Sequence, residues 1–451
     1  MITSLKSGFT AGRRRGPLIR RCARRRLRGP WRLAGWASLV AMNPTALLSP
    51  QGEELLARIS AAPDGGSLAV AVRLRRHYPA DLVALAMAQQ ELRRAAAVKF
   101  SRAAQMLFTR AGYEQSSSEA IARYRADRLR GARRVADLCC GIGGDLIALA
   151  AVGDVLAVDR DAAHARLALH NAAVYGHAEH VTAVVADVRD ISLAGLDAVF
   201  IDPARRSGQG TASAASARRF RAGFSEPPLD WCAALAGQVG AVCVKAAPGL
   251  PADMIPSGWE AEFIAEGREL KEAVLWSPAL ATAPPAGSPD GTAGPRRATV
   301  LAVAPAGEAL RCSTLVARPG DPVPLQEPGE YLLDPNPAVT RAGLVEDLAR
   351  DLGGATAKID PQIAFLTLDR DVATPFARTL RVAYSAPWNE KVFAKRLRDL
   401  GIGAADIRRR GLAGDVEQIR RRLKLAGPHR ATIVITRVND KPWGLICADP
   451  G

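Results

Sequence analysis

This sequence predicts an α/β fold, with helices on both faces of a parallel sheet. A helical region precedes it and a small α+β module follows. Three observations carry that expectation. Between about 134 and 244, short apolar runs alternate with helical stretches. A glycine-rich loop follows the first run directly, and the next three runs each end in an aspartate. Repeated strand–helix–strand units require a parallel sheet covered by helices.

At 451 residues the chain is long enough for two to four domains, and 48% hydrophobic residues suffice for their cores. No apolar run reaches 18 residues, so no membrane span is expected. The formal net charge is +16, but it is unevenly spread. Residues 1–41 hold Lys6, ten arginines and no acid, eleven of those positive charges. This leader lacks apolar periodicity and reads as disordered, with an RNA-binding arm, a signal peptide or a start at Met42 as the ways to account for it. Seven scattered cysteines without a CxxC pair argue against a zinc ribbon and suit a reducing cytoplasm. His164, His170, His177 and His180 lack metal-ligand spacing, and no metal is expected.

Residues 43–127 read as helices: Leu55–Ile59 and Leu82–Ala86 have helical apolar spacing. The α/β domain is expected over 128–303. Its strands are Arg134–Leu138, Val155–Val158, Val181–Val185, Ala198–Ile201 and Ala241–Val244, with helices at Ala162–Tyr175 and Trp231–Ala236. Glu269–Trp276 adds a further strand. An Ala/Pro/Gly-rich linker spans 281–295, and a strand follows at Ala298–Val303. An intermediate α+β region, 304–377, carries a helix at Ala338–Leu352 and a strand at Ile363–Leu368. The last module, 378–451, alternates strands at Thr379–Tyr384, Ile407–Arg409 and Thr432–Thr436 with helices at Lys391–Leu400 and Val416–Leu423.

Val135-Ala136-Asp137-Leu138 leads into Cys139-Cys140-Gly141-Ile142-Gly143-Gly144-Asp145. Glycines here let the backbone turn tightly and approach a ligand. The dinucleotide pattern GxGxxG puts its third glycine where this chain has Leu146, and the Gly-Lys-Ser/Thr of a P-loop is missing. The acids then separate the possibilities. Asp159, 18 residues past Gly141, ends the second strand, where a carboxylate accepts from ribose hydroxyls. Asp187 ends the third strand, within reach of an adenine amino group. Asp202, followed by Pro203, ends the fourth. Acids at successive strand ends after such a loop point to S-adenosylmethionine (SAM), with Asp137, Cys139, Gly141, Gly143, Asp159 and Asp187 as cofactor-binding residues.

Val135–Gly144 resembles the first motif of class I SAM-dependent methyltransferases, which implies a Rossmann-like class I methyltransferase domain. Over roughly 108–203 the chain is similar to RNA guanine-N2 methyltransferases of the trimethylguanosine synthase type. Ser116-Ser117-Ser118-Glu119-Ala120-Ile121-Ala122 sits where those enzymes have a segment that closes over SAM, which makes Ser116 a cofactor contact by resemblance. His170-Asn171-Ala172-Ala173-Val174-Tyr175-Gly176 also matches. From about 43 onward the chain resembles a bacterial family of SAM-dependent methyltransferases ending in a THUMP-like domain, here 378–451, a module that implies RNA as partner.

Where the cap enzymes have Ser/Asn-Pro-Pro-Trp, this chain has Asp202-Pro203-Ala204-Arg205-Arg206. Asp202 and Pro203 are the candidate catalytic pair, able to orient an amine or take up a proton near the methyl donor. No aromatic follows to stack a base. Arg205, Arg206 and Lys245 are candidate substrate phosphate contacts, with salt bridges inside the protein as the competing assignment. Trp276 is read as core or as a base-stacking residue. Ile407–Gly411 and Ile419–Lys424 form basic stretches suited to an RNA backbone or to a solvated helix face. Cys139 and Cys140 lie in the loop and no Pro-Cys pair exists, so a nitrogen acceptor is expected over pyrimidine carbon 5. A SAM-binding protein without catalysis, or a methyltransferase for protein or small metabolites, are the alternatives.

Overall fold

The computed structural model describes residues 43–62, 67–205, 225–282, 294–302, 310–318, 320–412 and 414–448. The expected leader 1–41, Arg206 and most of the 281–295 linker lie outside the described residues, as does the side chain of Arg205.

Helices α1 (Pro50–Ala61), α2 (Leu68–Leu74), α3 (Ala80–Ala96), α4 (Arg110–Gln115) and α5 (Glu119–Arg128) form the N-terminal region. Their starts obey local capping chemistry. Ser49, Ser67, Thr109 and Ser118 each accept a bond from a first-turn N–H, and Pro50 occupies the first turn of α1. The polar residues of the Ala-rich α3 serve neighbouring backbone. Gln89 accepts from Phe108 N at 3.0 Å, and Arg93 Nε donates to Met106 O at 2.8 Å.

The first sheet contains β1 (Arg134–Leu138), β2 (Asp154–Asp159), β3 (Val181–Val185), β4 (Ala198–Ile201), β7 (Ala241–Ala246), β8 (Glu260–Glu266), β9 (Glu269–Trp276), β10 (Arg296–Leu301) and β11 (Cys312–Val316). Between β4 and β7 lies a two-stranded ribbon of β5 (Ala204–Arg205) and β6 (Ser225–Glu226). The nine strands run in the order β11-β10-β8-β9-β7-β4-β1-β2-β3. Strands β1 to β4 and β7 are parallel, as expected. The sheet departs from all-parallel at β9, antiparallel to β7 and β8, and at β11, antiparallel to β10. β11 also carries the sheet past the expected boundary at 303. Helices α6 (Leu146–Ala150), α7 (Ala162–Val174) and α8 (Leu229–Ala234) connect the parallel strands.

The second sheet joins β12 (Tyr331–Pro335), β13 (Ala357–Lys358), β14 (Leu366–Leu368), β15 (Ala377–Pro387), β16 (Ile402–Arg409), β17 (His429–Val438) and β18 (Lys441–Ala448) in the order β13-β14-β12-β15-β18-β17-β16. It draws strands from both expected segments, 304–377 and 378–451. The helix expected over 338–352 is two, α9 (Pro337–Ala342) and α10 (Val345–Leu352). Gly343, at φ 75, ends α9 in the left-handed conformation that glycine adopts without strain. Helices α11 (Glu390–Asp399) and α12 (Val416–Leu423) cover one face of β16 and β17, around Phe393, Leu397, Ile407, Ile419 and Ile433.

Candidate functional site

Strand order reverses at β1, between β2 and β4, and that is where open α/β sheets bind ligands beyond their strand ends. A cavity of about 1190 Å³ opens there, lined by residues that follow β1, β2, β3, β4 and β7. Gly141, Cys139, Ser116, Asp159, Asp187, Asp202, Pro203 and Lys245 all line it.

The glycine loop is held from three sides. Gly141 (φ 54) has open space where a Cβ would stand, while a Cβ on Gly143 (φ 84) would meet Ala168 Cα at 2.9 Å. Gly144 lies against Ser116, whose Cβ would be 2.9 Å from a Cβ added there. Asn171, fully buried, donates to Ile142 O at 2.8 Å and exchanges bonds with the Leu107 backbone. Leu146, in the place of the dinucleotide glycine, is fully buried and starts α6. Cys139 takes φ 64, uncommon for a residue with a side chain. Burial pushes the Cys139 and Cys140 thiols up, which leaves both as thiols at neutral pH.

Asp159 Oδ2 accepts from Gly141 N and its Oδ1 from Asp161 N, both at 2.9 Å. Burial works to raise this carboxyl, but His164, Asp161 N and Gly141 N outweigh it and hold it below its ordinary value. Asp187 accepts from Arg189 N at 2.9 Å and remains exposed at the rim. Asp137, 1% exposed, has both carboxylate oxygens buried without a partner. Its burial, then Asp145, Asp202 and Asp159, raise it well above the usual carboxylate range.

Lys245 meets Asp202 rather than reaching outward. Its Nζ donates to Asp202 Oδ2 at 2.6 Å and lies 3.9 Å from Asp145 Oδ2, with 7% of the side chain exposed. Asp145 pairs in turn with Arg125 of α5, which also pairs with Glu272 of β9 and donates to Ser117 Oγ at 2.9 Å. Arg125 and Glu272 escaped sequence reasoning, because partners 147 residues apart leave no local pattern. Trp276 is core: it is fully buried and its Nε1 donates to Glu262 at 2.8 Å. Among the described residues, no group of His, Cys, Asp and Glu is arranged to hold a metal, and no helix is long and apolar enough to cross a membrane.

The open approach at Gly141 and the strand-end acids suit a ligand that is rich in donors and cationic, whereas Asp137 and Gly143, expected as cofactor contacts, stand behind the cavity wall and do not line it. SAM has a cationic sulfonium, an amino group, two ribose hydroxyls and an adenine amine. The comparisons agree. Two S-adenosylmethionine-dependent methyltransferases, from Mycobacterium tuberculosis strains CDC 1551 / Oshkosh and ATCC 25618 / H37Rv, are 35% identical over 345 residues. The match covers 74% of this chain and 85% of each relative.

The chain belongs to the SAM-dependent methyltransferases.

Within this methyltransferase, residues 132–222 match the family model for RNA cap guanine-N2 methyltransferases and residues 377–449 that for THUMP domain-like regions. Residues 43–96 match a domain of unknown function. A methyltransferase crystal structure from Porphyromonas gingivalis W83 shares the fold, with a TM-score of 0.68 at 21% identity, over 88% of this chain and 99% of that one. SAM is the cofactor, and the C-terminal region is THUMP-like.

Proposed function

We propose that this methyltransferase acts on RNA and methylates a base nitrogen. One observation carries the reading: Asp202, held by Lys245, lines the same cavity as the glycine loop. At about 1190 Å³ that cavity exceeds the usual range for a single small ligand, roughly 300–1,000 Å³, which leaves room for an acceptor beside the cofactor. Asp137, Cys139, Gly141, Gly143, Asp159, Asp187 and Ser116 form the SAM cradle. Asp159 accepts from the ribose hydroxyls and Asp187 from the adenine amine. SAM supplies a methyl carbon made electrophilic by the sulfonium. Asp202 accepts an N–H of the target amine and turns its nitrogen toward that carbon, while Pro203 fixes the wall beside it. Holding the two in register is the main requirement. The Lys245 ammonium orients Asp202. The family match over 132–222 and the THUMP-like region support RNA as substrate class.

The test is transfer of labelled methyl from SAM to total RNA of a strain deleted for the gene. The wild-type protein labels that RNA. Asp202→Ala lowers the rate on the order of a hundredfold or more and keeps SAM affinity. RNA that accepts no label, or an Asp202→Ala variant as fast as wild type, refutes the reading. One observation favours a second reading, SAM binding without catalysis: none of the described cavity-lining residues is Phe, Tyr or Trp. An unlabelled RNA together with intact SAM and RNA binding selects it.

A further inference from the structure

One ammonium stands among three aspartates at the wall of the cavity. The parallel register Ile201↔Val244 sets the next residues of β4 and β7, Asp202 and Lys245, side by side. Lys245 Nζ donates to Asp202 Oδ2 at 2.6 Å, yet Asp145 Oδ2 is only 3.9 Å away. Asp137 also feels the Lys245 charge but takes no bond from it, since both its oxygens are without a partner. Only 7% of the Lys245 side chain is exposed, so water screens these attractions poorly. Asp145 is therefore a rival of Asp202 for the same ammonium. Closing its gap to an ordinary hydrogen bond takes a shift of about 1 Å.

Arg125 decides that competition from behind the wall. Its guanidinium is 1% exposed and does not line the cavity. It lies 5.4 Å from the centre of the Phe200 ring, in the strand that leads to Asp202. Its Nη2 pairs with Asp145 Oδ1 and donates to Ser117 Oγ at 2.9 Å, while its Nη1 pairs with Glu272 Oε1. Glu272 Oε2 accepts in turn from Ser117 Oγ at 3.3 Å. Two cations thus serve three carboxylates in an alternating row, Asp202, Lys245, Asp145, Arg125 and Glu272. A buried carboxylate stripped of its cation is costly and draws on the nearest one left. For Asp145 that cation is Lys245.

We propose that Arg125 is a positioning residue for methyl transfer: by satisfying Asp145, it leaves the Lys245 ammonium to Asp202. The assignment rests on the reading above, in which Asp202 aligns the acceptor amine. Without the guanidinium, Asp145 is the more buried of the two acids beside Lys245, 11% exposed against 34%, and attracts it more strongly. The ammonium swings toward Asp145. The Asp202 carboxylate loses the bond that fixes its orientation, and the amine it holds leaves the line of the sulfonium methyl. A misplacement of about 1 Å can cost about a hundredfold in rate.

The test is a rescue. Arg125→Met and Arg125→Met/Asp145→Asn are compared with wild type for labelled methyl transfer to RNA. Both substrates are saturating, so that kcat is read apart from binding. Arg125→Met is expected to lower kcat about tenfold to a hundredfold. Adding Asp145→Asn removes the rival carboxylate and is expected to raise kcat again. An arginine that only supports the fold predicts otherwise, because a second substitution in a disturbed site leaves kcat where it is or lowers it. If Arg125→Met fails to fold, since Glu272 is left as an uncompensated buried charge, Arg125→Met/Glu272→Gln replaces it as the background to which Asp145→Asn is added. A kcat that does not rise on adding Asp145→Asn overturns the proposal and leaves the RNA reading intact. A folded Arg125→Met protein as fast as wild type does the same. Wild-type protein that labels no RNA overturns both.

Discussion

Asp137 is a carboxylic acid buried with no partner inside the protein. Burial, reinforced by Asp145, Asp202 and Asp159, raises its carboxyl well above the ordinary range. A group raised on folding contributes stability that is complete below its unfolded value, about 3.9 for aspartate. That contribution is lost as pH rises toward the folded value. Near neutral pH the free protein therefore carries a strained site. Asp137→Asn is expected to raise the melting temperature of the SAM-free protein, with a gain that grows as pH is taken from about 4 to 7. If Asp137 meets a SAM donor in the bound protein, as the proposed cradle requires, the same variant also weakens SAM about tenfold or more, because a hydrogen bond from a charged donor is lost. Melting curves at two pH values and calorimetry with SAM check both. A gain that is equal at both pH values contradicts the assignment.

The strand-end acids were legible because strand, turn and helix leave a readable period, and the last residue of a strand falls at a defined edge. Asp159, Asp187 and Asp202 all reach the cavity. Arg125 and Glu272 were not legible, since a buried ion pair between a helix and a distant strand follows from the packing of both.

Among the elements, β8 shows why a strand can hide. Glu260 and Glu262 are fully buried in it, against the usual rule for acids. Arg128, Arg297, Thr299 and Trp276 satisfy them, and no local signal announces those partners. The segment 170–176, by contrast, was visible as a match, and the structure supplies its physical purpose. Asn171 of α7 ties the glycine loop at Ile142 to the Leu107 backbone. Tyr175 Oη donates to Glu119 at the start of α5. One helix therefore fixes the cofactor loop to the N-terminal helical region. Asn171→Ala leaves an N–H and two carbonyl groups buried without this partner, and is expected to cost roughly 2–3 kcal/mol of stability. Urea unfolding measures it. A loss below about 0.5 kcal/mol, within the range of an ordinary surface change, contradicts the clamp.

Across the whole molecule the question is whether the THUMP-like region is a detachable module. The sequence suggested segments divided near 303 and 377, the second by the renewed α/β alternation and the THUMP resemblance of the last module. The strand pairing runs across both divisions. β12, from the intermediate segment, has β15 as its neighbour, paired from Tyr331↔Arg381 to Pro335↔Ala377. Leu332, Ile359 and Phe365 pack with Leu380, Val434 and Leu445 in one core. Leu344, Leu348 and Ala349 around α9 and α10 meanwhile belong to the core beneath the first sheet, together with Ile201, Val244 and Phe263. The intermediate segment is thus shared between the two sheets. A chain ending at residue 376 keeps β12, β13 and β14 but removes β15, one of the two neighbours of β12, and uncovers that apolar face. Each buried Leu, Ile or Phe side chain exposed this way forfeits about 1.5–3 kcal/mol, and the exposed edge invites pairing between chains. The truncated chain is therefore expected to aggregate or to melt well below the full chain, and to bind SAM poorly although the whole glycine loop is present. A detachable module predicts the opposite: a soluble 43–376 chain with wild-type SAM affinity. Gel filtration and calorimetry on that chain decide between a modular molecule and one whose two sheets fold as a unit.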